Sequence, residues 1–145
     1  MQTTKELQKH ELRKPWLVIS YFVFSCSSFW IQEGGVAVHQ VTFVTDGREI
    51  RTTVAEDEYV LDAGVAAGLN LPYMCLQGWC TTCAGRLLSG EVDQSEARRY
   101  YPRDRAAGFV LLCSAHARSD LRIETHQKDA MREHRQALGL PTPRG

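Results

Sequence analysis

The amino-acid sequence predicts one α+β domain built on a mixed β-sheet. The chain has 145 residues, the size of one ordinary domain, and its 43% hydrophobic and 23% charged residues are normal for a globular protein. Two alternating runs near residue 46 indicate a β-hairpin, and a helical pattern separates that hairpin from three further strand-like runs. This order of a strand pair, a helix and more strands is typical of an α+β fold.

The opening hairpin is predicted from the stretches VHQVTFVT and REIRTTV, at 38–45 and 48–54. Alternation places four residues of the first stretch on one face: His39, Val41, Phe43 and Thr45. Asp46-Gly47 supplies the two-residue turn that antiparallel strands favour.

A short helix is predicted next, within 59–71. Acidic residues at 56–58 stand where a helix N-terminus favours negative charge, and Gly68 with Pro72 provides the stop. We expect its apolar stripe to consist of residues spaced i, i+4 and i+8: Leu61, Val65 and Leu69.

Further elements follow a cysteine-rich loop. Residues 84–92 are predicted as a strand, 95–107 as a turn or short helix broken by Pro102, 108–113 as a buried strand and 120–125 as an alternating strand. The order resembles that of a ubiquitin-like roll with a helical tail at 127–145.

The two ends lie outside this core pattern. Residues 1–35 include an apolar run at 16–31 behind a basic flank, which indicates an extension from an upstream start, a membrane anchor or a cleaved signal. In the tail, Met131, His134 and Leu138 form one face, with Gly139 as the stop. One possibility is that this helix packs on the domain or on a partner, and that its basic residues Lys128, Arg132 and Arg135 select electron acceptors. The alternative is a helix that frays in solvent.

Four of the five cysteines, Cys75, Cys80, Cys83 and Cys113, have the spacing C-x4-C-x2-C-x29-C. This is the plant-type [2Fe–2S] pattern, in which three thiolates come from one tight loop and the fourth from a returning strand. The remaining Cys26 is interpreted as an apolar residue of the N-terminal run. The crowding of three cysteines within nine residues suits a metal site better than a set of disulfides.

Other interpretations of these cysteines are weaker. The stretch WCTTC contains Cys80 and Cys83 and is similar to the motif of a thiol-disulfide oxidoreductase, but that class requires a helix directly after the second cysteine. Structural zinc favours two short cysteine pairs, and only one is present. Buried structural cysteines would have to acquire the tetrad spacing by chance.

The stretches LPYMCLQGWCTTCAGRLLSGEVDQS, GFVLLC and SDLRIETH resemble the plant and cyanobacterial ferredoxin family across 36–126, and especially its branch with a C-terminal extension. The resemblance implies a β-grasp fold and one [2Fe–2S] cluster held by Cys75, Cys80, Cys83 and Cys113. It also implies a monomeric electron carrier in a cyanobacterial cytoplasm or plastid stroma. The partners it implies are photosystem I as donor, and reductases, oxygenases or one biosynthetic enzyme as acceptors.

Composition is consistent with a carrier and not an enzyme. With 17 basic and 17 acidic residues, nothing indicates a nucleic-acid partner. No nucleotide-binding motif is present, and the residues after Val36 are too few for an added flavin or nicotinamide domain.

The sequence departs from the family in charge. Where photosynthetic ferredoxins carry acidic residues, this chain has four arginines: Arg98, Arg99, Arg103 and Arg105. They are interpreted as a solvated surface or as partner-selecting residues, with Tyr100 or Tyr101 as the family's aromatic counterpart. Trp79, in the cysteine loop, is a packed loop residue or a shield beside the cluster.

Overall fold

The structure of the protein is a computed structural model, which describes residues 35–143. The strands are β1 (Val38–Thr45), β2 (Arg48–Ala55), β3 (Ala84–Ser89), β4 (Val92–Asp93), β5 (Phe109–Leu111), β6 (His116–Ala117) and β7 (Leu121–Glu124). The helices are α1 (Val60–Ala66), α2 (Pro102–Ala106) and α3 (Lys128–Ala137), and a 3-10 turn covers Leu112–Ser114. The predicted N-terminal segment, with its apolar run at 16–31, lies outside the described residues.

Five strands form one mixed sheet in the order β2-β1-β7-β3-β5. β1 and β7 are parallel, whereas the other neighbouring pairs are antiparallel. β4 and β6 form a separate two-stranded sheet. The predicted α+β class with a mixed sheet is confirmed, and the arrangement is that of a β-grasp fold.

The predicted hairpin and its two-residue turn are confirmed, and Val41 and Phe43 of the predicted face are fully buried. β1 and β2 pair from Val38 opposite Ala55 to Thr45 opposite Arg48, so that Asp46 and Gly47 alone form the turn. Both turn residues have positive φ, +49° and +78°, as a hairpin with a two-residue loop of type I′ requires.

Helix α1 is shorter than its predicted range, and one of its predicted core positions is wrong. Val65 is 44% exposed, whereas Val60, Leu61 and the small residues Ala63 and Gly64 are buried. A β-carbon on Gly64 would lie 2.5 Å from Leu71 and 3.0 Å from Phe43. The helix therefore lies so close to Phe43 of β1 that only a glycine fits at position 64, whereas Val65 is on the exposed side of the helix.

Three other predicted elements differ in detail. The strand predicted at 84–92 is divided into β3 and β4 at Gly90, whose φ is +97°. Pro102 begins α2 instead of breaking a helix, because the first helical position needs no backbone donor. The buried strand predicted at 108–113 ends at Leu111 and continues as the 3-10 turn.

The tail forms α3 within the predicted 127–145, and Gly139 follows it as the predicted stop, with a φ of +66°. Met131 is fully buried in the core of the domain. Arg135, which we expected on the docking surface, is also fully buried, because it pairs with Asp104 of α2. Within 35–143, no helix has the length and apolar character needed to cross a membrane.

Candidate [2Fe–2S] site

The four predicted cysteines reach the site from two segments of the chain. Cys75, Cys80 and Cys83 lie in the irregular loop between α1 and β3, and Cys113 lies in the 3-10 turn after β5. A backbone hydrogen bond of 3.2 Å, donated by Leu112 to the Cys83 carbonyl, joins the two segments. Cys75 is half-buried, and the other three cysteines are buried.

Backbone N–H groups are directed at two of the four sulfur atoms. Cys80 donates its backbone N–H to the Cys75 sulfur at 3.4 Å, and Gly78 donates its backbone N–H to the Cys113 sulfur at 3.3 Å. In the part of the chain that the structure describes, no three Cys, His, Asp or Glu side chains converge on a position for a single metal ion.

The thiol pKa values are shifted by hydrogen bonds within the site and by burial. The hydrogen bond from Cys83 is the largest influence on Cys113, and with donors from Gly78 and Ser114 it outweighs burial and lowers the Cys113 pKa to about 6. The same bond and then burial raise the pKa of Cys83. For Cys80, burial is the largest influence and opposes ionisation, but hydrogen bonds from Thr82 and Cys75 lower the pKa on balance.

Gly78 shapes the centre of the cysteine loop. Its φ is +60°, and its backbone N–H donates to the Cys113 sulfur at 3.3 Å. A β-carbon at this position would lie 2.5 Å from Ser114 Oγ and 2.7 Å from Ala97 Cα. The segment around Ala97 therefore lies so close to the loop that only glycine fits at position 78. In addition, the Gly78 N–H is directed at the Cys113 sulfur. Both features fit the needs of an iron–sulfur cluster.

The segment that contains Arg98 and Arg99 contacts the cysteine loop through backbone hydrogen bonds. Arg98 donates its backbone N–H to the Gln77 carbonyl at 3.1 Å, and Arg99 donates to the Gly78 carbonyl at 2.9 Å. The Arg99 guanidinium lies over the Trp79 ring, 5.2 Å from its centroid. The cysteine pattern gave no indication of these backbone contacts, since they depend on where two loops meet.

The two neighbouring tyrosines have internal roles. Tyr100 donates its hydroxyl to the Phe109 carbonyl at 2.7 Å, and burial raises its pKa to about 12. Tyr101 precedes α2 and donates its backbone N–H to the Asp104 carboxylate at 3.2 Å. Each ring is half-exposed, so either one retains a surface for a partner.

A buried ion pair joins this region to the tail. Arg135 donates to the Asp104 carboxylate from Nε at 3.1 Å and from Nη2 at 2.8 Å, and both side chains are fully buried. Its Nη2 also donates to the Arg99 carbonyl at 2.9 Å. Sequence reasoning assigned Arg135 to solvent, and the residue spacing within α3 contained no signal for its partner.

Comparison with known proteins identifies the family of the chain. Residues 43–118 match the family of 2Fe-2S iron-sulfur cluster binding domains. Ferredoxin-2 of a Synechococcus species is 48% identical over 96 residues, which cover 66% of this chain and 91% of that protein. The chloroplastic Ferredoxin-6 of Zea mays is 38% identical over 104 residues, which cover 71% of this chain and 67% of the relative.

A solved structure is also similar to this chain. The crystal structure of pectocin M2 at 2.3 Å matches with a TM-score of 0.58 and 39% identity, over 64% of this chain and 34% of that one. The chain thus spans about a third of that larger protein. Nothing in these comparisons supports the thiol-disulfide alternative at Cys80 and Cys83, and β3 instead of a helix follows Cys83 directly. The chain belongs to the plant-type [2Fe–2S] ferredoxins, electron carriers that hold one such cluster.

Proposed function

We propose that four cysteines hold the single cluster of this electron carrier: Cys75, Cys80, Cys83 and Cys113. Two observations support this assignment: backbone donors are directed at the sulfurs of Cys75 and Cys113, and a hydrogen bond from Leu112 to Cys83 joins the two segments that carry the cysteines. When bound, a plant-type cluster takes up and releases one electron at a potential of about −400 mV. The protein supplies four thiolates and a largely buried site, and the Gly78 N–H helps to spread the added negative charge.

We propose that residues 36–126 constitute the ferredoxin domain, 127–145 a helical extension and 1–35 a separate N-terminal extension. The compactness of Val36–Gly145 as one unit supports the first boundary. We further propose that the chain belongs to the branch of the ferredoxin family with a C-terminal extension, as the sequence resemblance implies.

The partners are redox proteins, as for the ferredoxin relatives. We further propose that photosystem I donates electrons, that reductases, oxygenases or a single biosynthetic enzyme accept them, and that the carrier works as a monomer. The cyanobacterial and chloroplastic relatives support a cyanobacterial cytoplasm or plastid stroma as its location.

We also propose that the arginines beside the loop select partners whose docking face is acidic. Within the described residues, none of the four forms a salt bridge, and their side chains are exposed or half-exposed: Arg98, Arg99, Arg103 and Arg105. Trp79 and Leu76, both exposed, add apolar contact area in the loop. Positive charge around such an apolar contact complements carboxylates around a partner's cofactor.

Replacing each ligand cysteine by serine tests the assignment. We expect each of the four variants to lose the cluster or to hold it too weakly for purification, because a serine supplies no thiolate. The control, Cys26→Ser, keeps two irons and two sulfides per chain. The measurement is the iron and sulfide content together with the visible absorption. A stable cluster in Cys113→Ser, or its loss in Cys26→Ser, would contradict the assignment.

A further inference from the structure

We infer that Arg135, in the tail helix α3, is a positioning residue for the cluster. Through the backbone of residues 98–99 it holds the cysteine loop so that the Gly78 N–H points at the Cys113 sulfur. This inference rests on the proposed function, since it assigns a role toward the cluster that Cys113 holds.

Three consecutive hydrogen bonds connect the tail to the ligand. Arg135 Nη2 donates to the Arg99 carbonyl at 2.9 Å. The Arg99 N–H donates to the Gly78 carbonyl at 2.9 Å, and the Gly78 N–H donates to the Cys113 sulfur at 3.3 Å. At Arg99 and at Gly78, the carbonyl and the N–H belong to two planar peptides that only the φ and ψ of that residue separate, so fixing one peptide restrains the other.

Asp104 anchors the first bond. Its carboxylate accepts hydrogen bonds from Nε and Nη2 of Arg135 and from the Tyr101 N–H, so the guanidinium plane is fixed relative to α2. The Arg135 guanidinium also lies 5.1 Å from the centroid of the Tyr101 ring. With so many contacts to residues 99–104, the side chain has one orientation, and in that orientation Nη2 faces the Arg99 carbonyl.

Stability alone is a poor explanation for this arrangement. Burying an ion pair costs desolvation that its attraction barely repays, and apolar residues of similar volume often stabilise a protein equally well. Arg135 Nη1 even lacks a hydrogen-bond partner although it is buried. An arginine offers what an apolar side chain cannot, which is a planar set of donors that binds a carboxylate and a carbonyl together.

The contact to the sulfur has a defined electrochemical effect. One electron entering the site adds one negative charge, and an N–H donor to a ligand sulfur stabilises that charge more than it stabilises the oxidised state. Freeing residues 98–99 from Arg135 loosens the backbone at Gly78 and weakens this donor. The reduction potential then becomes more negative.

The experiment compares two variants with the wild type, each as the complete, cluster-loaded chain. Arg135→Met with Asp104→Asn removes the donor without leaving a buried charge unpaired, so it carries the test even if Arg135→Met alone does not fold. Arg132→Met makes the same replacement one turn away, at a half-exposed position of α3 that forms no side-chain hydrogen bond within the described residues. The midpoint potential is measured by redox titration, and unfolding is followed in parallel.

We expect Arg135→Met with Asp104→Asn to have a more negative midpoint potential than the wild type, and Arg132→Met to match the wild type. Equal potentials in these three proteins would overturn the inference, whatever happens to stability. Pulsed EPR of the reduced wild type provides a test that needs no variant. An exchangeable proton coupled to the cluster from the Gly78 amide is expected, and its absence would also overturn the inference. A wild-type protein that binds no cluster would instead refute the proposed function.

Discussion

Replacing Gly78 by alanine isolates the effect of the close contact between the cysteine loop and the segment that follows β4. The substitution forces an L-residue into left-handed backbone, which costs about 1–2 kcal/mol. It also inserts a methyl group 2.7 Å from Ala97 Cα, a backbone atom that cannot rotate away. Overpacking of this kind costs about 1–3 kcal/mol more, so the expected total is about 2–5 kcal/mol.

Gly68→Ala is the matched control. Gly68 follows α1 with a φ of +84°, but a β-carbon added there would have no heavy atom within 4 Å. Its replacement should therefore cost only the backbone share, about 1–2 kcal/mol. The difference between the two variants reports the contact at Gly78.

Thermal bleaching of the cluster at a fixed scan rate, followed by visible absorption, measures the effect. At about 4 °C for each kcal/mol, Gly78→Ala should lower the midpoint by about 8–20 °C and Gly68→Ala by about 4–8 °C. Equal midpoints for the two variants would show that the loop relaxes freely, and would refute the assignment of Gly78 as a steric requirement of the site.

Two further predictions concern partners and the tail. Electron transfer to a reductase with a basic docking face should slow only slightly as salt rises, because the arginines remove the attraction that salt would screen; stopped-flow rates that fall steeply with ionic strength would count against this. Met131→Ala should destabilise the domain by about 2–5 kcal/mol, since Met131 is fully buried in the core. Thermal unfolding measures the loss, Gln136→Ala at an exposed position of α3 is the control, and similar midpoints would mean that α3 contributes little to the core.

Sequence reasoning succeeded where the determinant is local. The hairpin follows from alternation on both sides of Asp46-Gly47, because a two-residue turn fixes the register of every pair beyond it. The fold class followed from the order of such elements. The bounds of α3 follow in the same way from a run of helix formers that ends at Gly139.

Sequence reasoning failed where the determinant lies elsewhere in the chain. An arginine in a polar helix is expected in solvent, and the burial of Arg135 depends on Asp104, 31 residues earlier. Val65 fits the helical period of α1, but the sheet packs against the adjacent face of the helix, where Gly64 has no side chain. The contacts of residues 98–99 with the cysteine loop are made by backbone atoms, which no residue type encodes.

The parallel pairing of β1 with β7 sets the order in which the nascent chain can fold. Val41 pairs with Leu121, so the central pair of the sheet forms only after nearly the whole domain has been synthesised. All four cysteines emerge before that point, while β1 still lacks its second neighbour. A translating ribosome therefore exposes cysteine thiols while one edge of β1 is still unpaired, and the sheet can close only after β7 has been released.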